Sequence, residues 1–302
     1  MAVASETTGP PGTRPGGPRA FASWLHRHAG VRLAALLSAP MAWLVVAYLG
    51  SLAVLLVSSL WTVNGFTGEL VRTPTLDNFR TILTEPVYRT VVLRSVGVAA
   101  AVTVVDALIA LPMALYMAKV ASPRARGWLV IAILTPLWAS YLVKAYAWRV
   151  MLANGGPVDW LLGGPGNGPG YGLPATIIVL SYLWLPYMIL PIYTGLERLP
   201  DSLLEASADL GARAGTTMRT IVLPMVLPAL AAGSVFTFSL SLGDYITVQI
   251  VGGRSQLIGN LVYANIGAAN NLPFAAALAT IPVLIMVGYL IAVRRTGALD
   301  QL

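Results

Sequence analysis

The sequence predicts an all-α, polytopic membrane protein with six transmembrane helices, and two observations carry this prediction. The first is composition: 57% of the 302 residues are hydrophobic and 10% are charged, with a mean hydropathy of +0.74. A soluble domain carries about 25% charged residues. The second is pattern, because the apolar residues gather into six runs of the roughly 20 residues that a helix needs to cross the hydrocarbon core.

The six predicted spans divide the chain into segments of distinct character. Residues 1–32, rich in Pro and Gly, are predicted to form a disordered, basic cytoplasmic tail. Residues 62–90 are predicted to form an external loop, and residues 91–302 the main body. The first apolar run is too long for the ~7–15-residue core of a cleaved signal peptide, so we expect it to be retained. In chain order the predicted spans are 33–61, 91–118, 128–152, 173–196, 224–251 and 274–293.

The distribution of basic residues predicts the orientation. An even number of spans places both termini on one side of the membrane. If that side is the cytoplasm, 12 of the 19 Lys and Arg residues lie in cytoplasmic segments, and 7 lie in external segments or at outer span ends. Cytoplasmic loops of membrane proteins carry the excess of basic residues. Both termini are therefore predicted to be cytoplasmic, in the inner or plasma membrane. The same distribution argues against nucleic-acid binding, although the formal net charge is +7.

The residue inventory excludes several chemistries. The chain has no cysteine, which removes disulfides, thiolate metal sites and cysteine nucleophiles. Its two histidines, His26 and His28, leave most ligand positions of a zinc site unfilled, and no metal or cofactor is expected. Neither lysine, Lys119 nor Lys144, ends a glycine-rich phosphate-binding loop. An ATP-driven activity would therefore need an ATPase on another polypeptide, and the chain itself is predicted not to be an enzyme.

One loop, residues 199–224 between the fourth and fifth spans, carries the boundary signals of a short helix. Asp201 or Ser202 is placed to cap its start, and Ser202 with Glu205 fits a capping box. Gly211 is placed to take the left-handed conformation that ends a helix. A second short helix is expected to lead from there into the fifth span.

The spacing of this loop resembles the signature E-A-A-x3-G-x9-I-x-L-P of permease subunits in bacterial ABC importers of the binding-protein-dependent type I family. Ser207 replaces the second alanine of the signature, and the other matching positions are Glu205, Ala206, Gly211, Ile221, Leu223 and Pro224. We refer to residues 199–224 as the signature loop. The resemblance implies a cytoplasmic coupling helix that docks onto the ATP-binding subunit through Glu205, Ala206, Ser207, Asp209 and Gly211. A Glu205 that only caps its own helix is the simpler alternative.

Softer similarity extends from Thr75 to the carboxyl end of the chain. Segment 75–79 resembles the entry region of these importer permeases. Three further segments resemble spermidine/putrescine-type permeases, namely 135–146, 257–260 and 272–277, and similar segments recur in relatives that import iron, thiamine or other solutes. The resemblance implies a type I importer permease core that moves a polyamine by alternating access. It also implies an ATP-binding subunit dimer, a second homologous permease and an extracytoplasmic substrate-binding protein as partners, with membrane lipid around the spans.

Charged and aromatic side chains within the spans are candidates for the translocation path. A charge at mid-membrane costs about 2.5–3.5 kcal/mol on insertion scales, and Asp106 and Asp244 lie midway along the second and fifth predicted spans. A fixed pairing with a neighbouring helix is the structural alternative for both. Tyr245 adjoins Asp244, and Trp138 and Tyr141 belong to a dense set of aromatic residues. Such rings either form an interfacial belt or line a path for an organic cation through cation–π contact.

Two functions of other classes stay open at the level of sequence. A secondary transporter would need no ATPase, but it would typically show inverted repeats with broken helices, and no internal symmetry is visible. A membrane-embedded enzyme would need paired acidic residues, and Asp106 with Asp244 is the intramembrane couple available. The signature loop favours the ATP-driven importer over both.

Overall fold

The computed structural model describes residues 29–294, so most of the predicted tail, with both histidines, lies outside the described residues. The described chain is predominantly helical, which confirms the predicted all-α class. Three π-helical turns interrupt the helices, at Val45–Leu49, Tyr116–Val120 and Met218–Val222. In chain order the helices are α1 (Ala29–Leu44), α2 (Gly50–Ser58), α3 (Asp77–Thr84), α4 (Pro86–Leu115), α5 (Pro123–Trp138), α6 (Tyr141–Met151), α7 (Pro157–Leu161), α8 (Leu173–Glu197), α9 (Asp201–Asp209), α10 (Ala214–Thr217), α11 (Leu223–Leu242), α12 (Ile246–Val251), α13 (Ile258–Ile266) and α14 (Leu272–Arg294).

Five helical stretches of the described chain are long and apolar enough to cross a membrane, and the bent pair α5 and α6 makes a sixth crossing if it is one span. This count agrees with the six predicted spans. The chain divides into two compact units, Met1–Leu55 and Leu56–Leu302, and the candidate site residues all lie in the second. The five continuous stretches are Leu36–Ser58, Pro86–Val120, Leu173–Glu197, Ala214–Leu242 and Leu272–Arg294.

Three helices, α4, α8 and α11, pack against one another and form the core of the second unit. Glycines allow their close approach. A Cβ on Gly195 of α8 would lie 2.8 Å from the Cβ of Ala229, and a Cβ on Gly233 of α11 would lie 2.9 Å from the sulfur of Met188. Lipid gives spans no hydrophobic reason to associate, so close packing of this kind holds them together.

Two of the predicted spans are not continuous helices. The third is broken at Ala139, whose backbone is extended, and α6 bends away from α5 there by 97°. The predicted fifth span, 224–251, is wrong in its last third, because α11 ends at Leu242 and the chain turns before α12 begins. Hydropathy registers neither break, since apolar residues continue on both sides of each.

The predicted external loop, 62–90, is more ordered than the sequence indicates. Two short strands, β1 (Thr62–Val63) and β2 (Leu70–Val71), pair antiparallel, and the hydropathy pattern does not predict this small sheet. Helix α3 follows, and its buried Asn78 donates side-chain hydrogen bonds of 2.7 and 2.9 Å to two backbone carbonyls. The segment also includes the first turn of α4, which begins at Pro86.

One carboxylate organises the glycine-rich segment between α6 and α8. Asp159, in the short helix α7, is buried and accepts hydrogen bonds from the backbone N–H groups of Gly155, Gly166 and Gly168, each 2.8 Å long. A Cβ on Gly168 would lie 2.1 Å from the Oδ1 of Asp159, so this close approach requires glycine. The segment is therefore a defined turn wrapped around a carboxylate.

Candidate functional site

The first helix of the signature loop, α9, begins differently from the prediction. The predicted N-cap, Asp201 or Ser202, and the capping box of Ser202 with Glu205 are both wrong: Pro200 occupies the N-cap position, and no side chain caps the helix. Asp201 is engaged elsewhere, because its carboxylate lies 2.7 Å from the Nζ of Lys119. The helix thus begins after the extended backbone of a proline, and Glu205 takes no part in capping it.

The end of α9 confirms the role predicted for Gly211. Its φ is +70°, in the left-handed region. The N–H of Gly211 donates to the carbonyl of Ala208 at 2.8 Å, and the N–H of Ala212 donates to the carbonyl of Ser207 at 3.1 Å. This pair of bonds is the Schellman arrangement that satisfies the last carbonyls of a helix. Gly211 therefore sets the direction in which the chain leaves α9.

One face of α9 anchors it to the membrane-embedded part of the protein. Ser207 is buried, and its hydroxyl lies 2.8 Å from that of Thr217 in α10. Leu204 packs against a buried cluster that includes Leu199 and Val222. Sequence reasoning did not identify Thr217, because only the folded loop brings it to Ser207.

The opposite face of α9 is exposed. It carries Glu205, Ala206 and Asp209, together with Leu210, which is 88% exposed. Of the five predicted coupling residues, three therefore lie on this open face, while Ser207 anchors the helix and Gly211 shapes its end. Two acids beside an apolar side chain form a surface suited to a protein partner.

The second candidate region surrounds Asp244. The expectation that this residue lies midway along a span is wrong, because it follows Gly243 in the turn between α11 and α12. Its side chain is nonetheless buried, with 8% exposed. Asp244 accepts the N–H of Thr247 at 2.9 Å and the hydroxyl of Tyr141. That hydroxyl also lies 2.5 Å from the Oγ1 of Thr247, so the carboxylate is held between two helices by neutral groups.

A cavity of about 350 Å³ opens beside this carboxylate. Two aromatic stacks border it: Tyr141 on Trp184 with ring centroids 6.0 Å apart, and Tyr245 on Tyr263 at 5.1 Å. The structure thus brings together three of the predicted path residues, Asp244, Tyr245 and Tyr141. The lining residues are Tyr141, Trp184, Ser239, Leu240, Gly243, Asp244, Tyr245 and Ile246.

The other two predicted path residues do not line this cavity. Trp138 lies at the end of α5 and is 90% exposed. Asp106 is fully buried in α4. Roles in translocation for Trp138 and Asp106 stay predictions.

Comparison with known sequences assigns the chain to a protein family. Residues 90–296 match the family described as "Binding-protein-dependent transport system inner membrane component". The chain is 44% identical over 289 residues to "Inner membrane ABC transporter permease protein YdcU" of Escherichia coli (strain K12), covering 90% of this chain and 92% of that protein. It is 32% identical over 210 residues to "Spermidine/putrescine transport system permease protein PotB" of Haemophilus influenzae, covering 68% of this chain and 73% of that protein.

Solved structures share the fold. A bacterial alginate ABC transporter in complex with an alginate pentasaccharide-bound periplasmic protein superposes with a TM-score of 0.69 at 14% identity, covering 92% of this chain and 97% of that chain. The MetNI methionine ABC transporter gives 0.51 at 20% identity, covering 70% and 96%. The architecture is thus that of a type I importer permease. With residues 90–296 matching throughout, the chain belongs to the family of binding-protein-dependent transport system inner membrane components, the permease subunits of ABC importers.

Proposed function

We propose that this permease imports a polyamine such as spermidine or putrescine, by alternating access driven by ATP hydrolysis on a partner subunit. The observation that carries the substrate class is the cavity beside Asp244, where a carboxylate meets aromatic rings. The spermidine/putrescine permeases among the relatives, at 30–32% identity, support the same class.

The chemistry of the cavity favours an organic cation. Its described lining combines one carboxylate with three aromatic side chains and contains no basic residue. An ammonium group is attracted to the faces of such rings, and hydrogen bonds between charged groups are stronger than those between neutral ones. Asp244 is held by the neutral donors Tyr141 and Thr247. A passing polyammonium would therefore supply the positive charge that these partners do not.

The signature loop provides the connection to ATP hydrolysis in this proposal. Two ATP-binding subunits, a second homologous permease and an extracytoplasmic substrate-binding protein complete the importer, and the chain itself hydrolyses no ATP. The exposed face of α9, with Glu205, Ala206 and Asp209 beside Leu210, docks onto an ATP-binding subunit. The buried face, with Ser207, holds the helix to the spans.

Transport in proteoliposomes tests the substrate. We expect the permease, assembled with its ATPase, second permease and binding protein, to accumulate labelled spermidine or putrescine only when ATP is enclosed with the ATPase. Ferric iron and thiamine serve as comparison solutes. Uptake of one of these solutes without uptake of a polyamine would contradict the proposed substrate but not the proposed ATP-driven import. Uptake that does not depend on ATP would contradict ATP-driven import itself.

The proposed orientation places the signature loop in the cytoplasm and the β1–β2 hairpin outside. Because the chain has no cysteine, single cysteines report the side of the membrane directly. Phe66→Cys sits at the fully exposed hairpin tip, and Ala214→Cys sits on the exposed start of α10. We expect a membrane-impermeant thiol reagent to label Phe66→Cys in intact cells and Ala214→Cys only after permeabilisation. The reverse labelling pattern would contradict the proposed orientation of the chain in the membrane.

A further inference from the structure

A group of polar contacts lies where α4 and α8 end, next to the start of α9. Lys119, in the π turn Tyr116–Val120 that follows α4, directs its Nζ to the carbonyl of Leu199 at 2.6 Å and to the carboxylate of Asp201 at 2.7 Å. The Lys119 side chain is only 13% exposed. These contacts join residues 80 and 82 positions apart in the chain. They connect the second span directly to the first turn of α9.

Arg126 makes a parallel set of contacts from the first turns of α5. Its guanidinium donates to the carbonyls of Met117 and Ala118 at 3.0 and 3.1 Å. It also lies 3.4 Å from the carboxylate of Glu197 at the end of α8. The carboxylate of Glu197 in turn accepts the hydroxyl of Tyr193. Arg126 therefore ties the third span to the same π turn and to the fourth span.

We infer that Lys119 and Arg126 are positioning residues, a basic clamp that transmits displacement of α9 to the second, third and fourth spans. The inference rests on the proposed docking of α9 onto an ATPase and extends it to residues outside the signature loop. Coupling between distant sites travels through packed elements and hydrogen-bond networks. Without the clamp, α9 keeps its contacts through Ser207 and Leu204, so the ATPase would still bind to it. The displacement of α9 would, however, no longer reach the second, third and fourth spans.

The ion pair by itself does not explain the arrangement. The Asp201 side chain is 73% exposed, and exposed ion pairs contribute little to stability. The contact of Lys119 with Leu199 is different, because it satisfies a backbone carbonyl at a helix end with a nearly buried ammonium group. A basic residue serving only membrane topology would have no need of either contact. Arg124, which is exposed and five positions away, provides that comparison.

The experiment measures transmission without requiring a known substrate. Ser239→Cys places the chain's single thiol in the Asp244 cavity, and its labelling rate is followed in the complex with the ATPase subunits, with and without ATP and vanadate. We expect ATP to change that rate about tenfold, within the usual range of coupling between sites. Lys119→Gln should retain the bound ATPase and abolish the change. Lys119→Arg and the matched charge control Arg124→Gln should behave like the parent.

Three results would contradict the clamp. The first is a labelling rate in the parent that ATP does not change, and the second is a Lys119→Gln variant whose labelling rate changes with ATP as in the parent. The third is an Arg124→Gln variant that loses the ATP-dependent change as fully as Lys119→Gln. If Lys119→Gln does not assemble, Glu197→Gln decides, since it removes the carboxylate partner of Arg126 at the surface and should also weaken the response. A normal response in Glu197→Gln would then overturn the inference. Loss of the ATPase from signature-loop variants is a separate measurement, so the docking proposal can stand when the clamp fails.

Discussion

Gly211→Val should abolish assembly of the permease with its ATPase and, with it, ATP-dependent uptake. Residue 211 has a φ of +70°, and a β-branched residue held in the left-handed region is strained by roughly 1–3 kcal/mol. Relief of that strain would break the two hydrogen bonds that end α9 and redirect its exposed face. The measurement is the amount of ATPase that co-purifies with the permease, followed by uptake in vesicles.

Gly215→Val provides the matched control. Apart from atoms of the adjoining backbone, no atom lies within 4 Å of a Cβ built at either glycine, but of the two only Gly211 has a positive φ. A difference between the two variants therefore isolates backbone conformation from side-chain size. Normal assembly and uptake in Gly211→Val would remove the basis for the coupling role of this loop.

Glu205→Ala tests the exposed face of the same helix. Glu205 does not cap α9, so its removal should leave the helix intact and weaken ATPase binding. Ser202→Ala, also exposed and one turn earlier, is the comparison, and we expect it to bind the ATPase as the parent does. Equal ATPase binding by Glu205→Ala and the parent would leave Glu205 without a part in docking.

Asp244→Asn should lower polyamine uptake about ten- to hundredfold, because a hydrogen bond to a charged group contributes about 1.5–3 kcal/mol. The amide has nearly the shape of the carboxylate: its oxygen can accept the N–H of Thr247 in place of one carboxylate oxygen. Its NH2 group, in place of the other oxygen, can donate to the hydroxyl oxygen of Tyr141. Assembly and some ATPase activity should therefore persist while the charge is lost. Uptake, ATPase activity and complex yield are measured on the same preparation.

Ser239→Ala separates charge from polarity in this cavity. It removes a polar group of the lining without changing the charge, and we expect near-parental uptake. Asp244→Asn that fails to assemble would indicate a fixed structural pairing between helices. Asp244→Asn that transports polyamine as the parent does would also remove Asp244 from the substrate path.

The parts of the structure that sequence predicts are those governed by local rules. Long apolar runs specify the spans, and the position of Gly211 after a short amphipathic segment specifies a left-handed helix end. The start of α9 shows the limit of such rules. The capping box is a local pattern, but Lys119 engages Asp201 from 82 positions away, and Pro200 takes the cap.

The candidate path depends on breaks that composition cannot reveal. Apolar residues continue before and after the turn at Gly243 and Asp244, so hydropathy extends the fifth span through a turn in which Asp244 accepts the N–H of Thr247. Likewise, the bend at Ala139 brings Tyr141 to a carboxylate 103 positions away. The sequence was therefore sufficient to predict which types of residue line the candidate path. The fold was required to predict which of these residues contact one another.

The turn around Asp159 has a consequence for acid tolerance. The N–H groups of Gly166, Gly155 and Gly168 stabilise the ionised carboxyl and hold the pKa of Asp159 below its usual range. A lowered pKa contributes stability that is complete above the ordinary carboxyl pKa and is lost only as the pH falls through the lowered value. The turn therefore keeps its shape when the surrounding medium turns mildly acidic, whereas a loop closed by histidine would open.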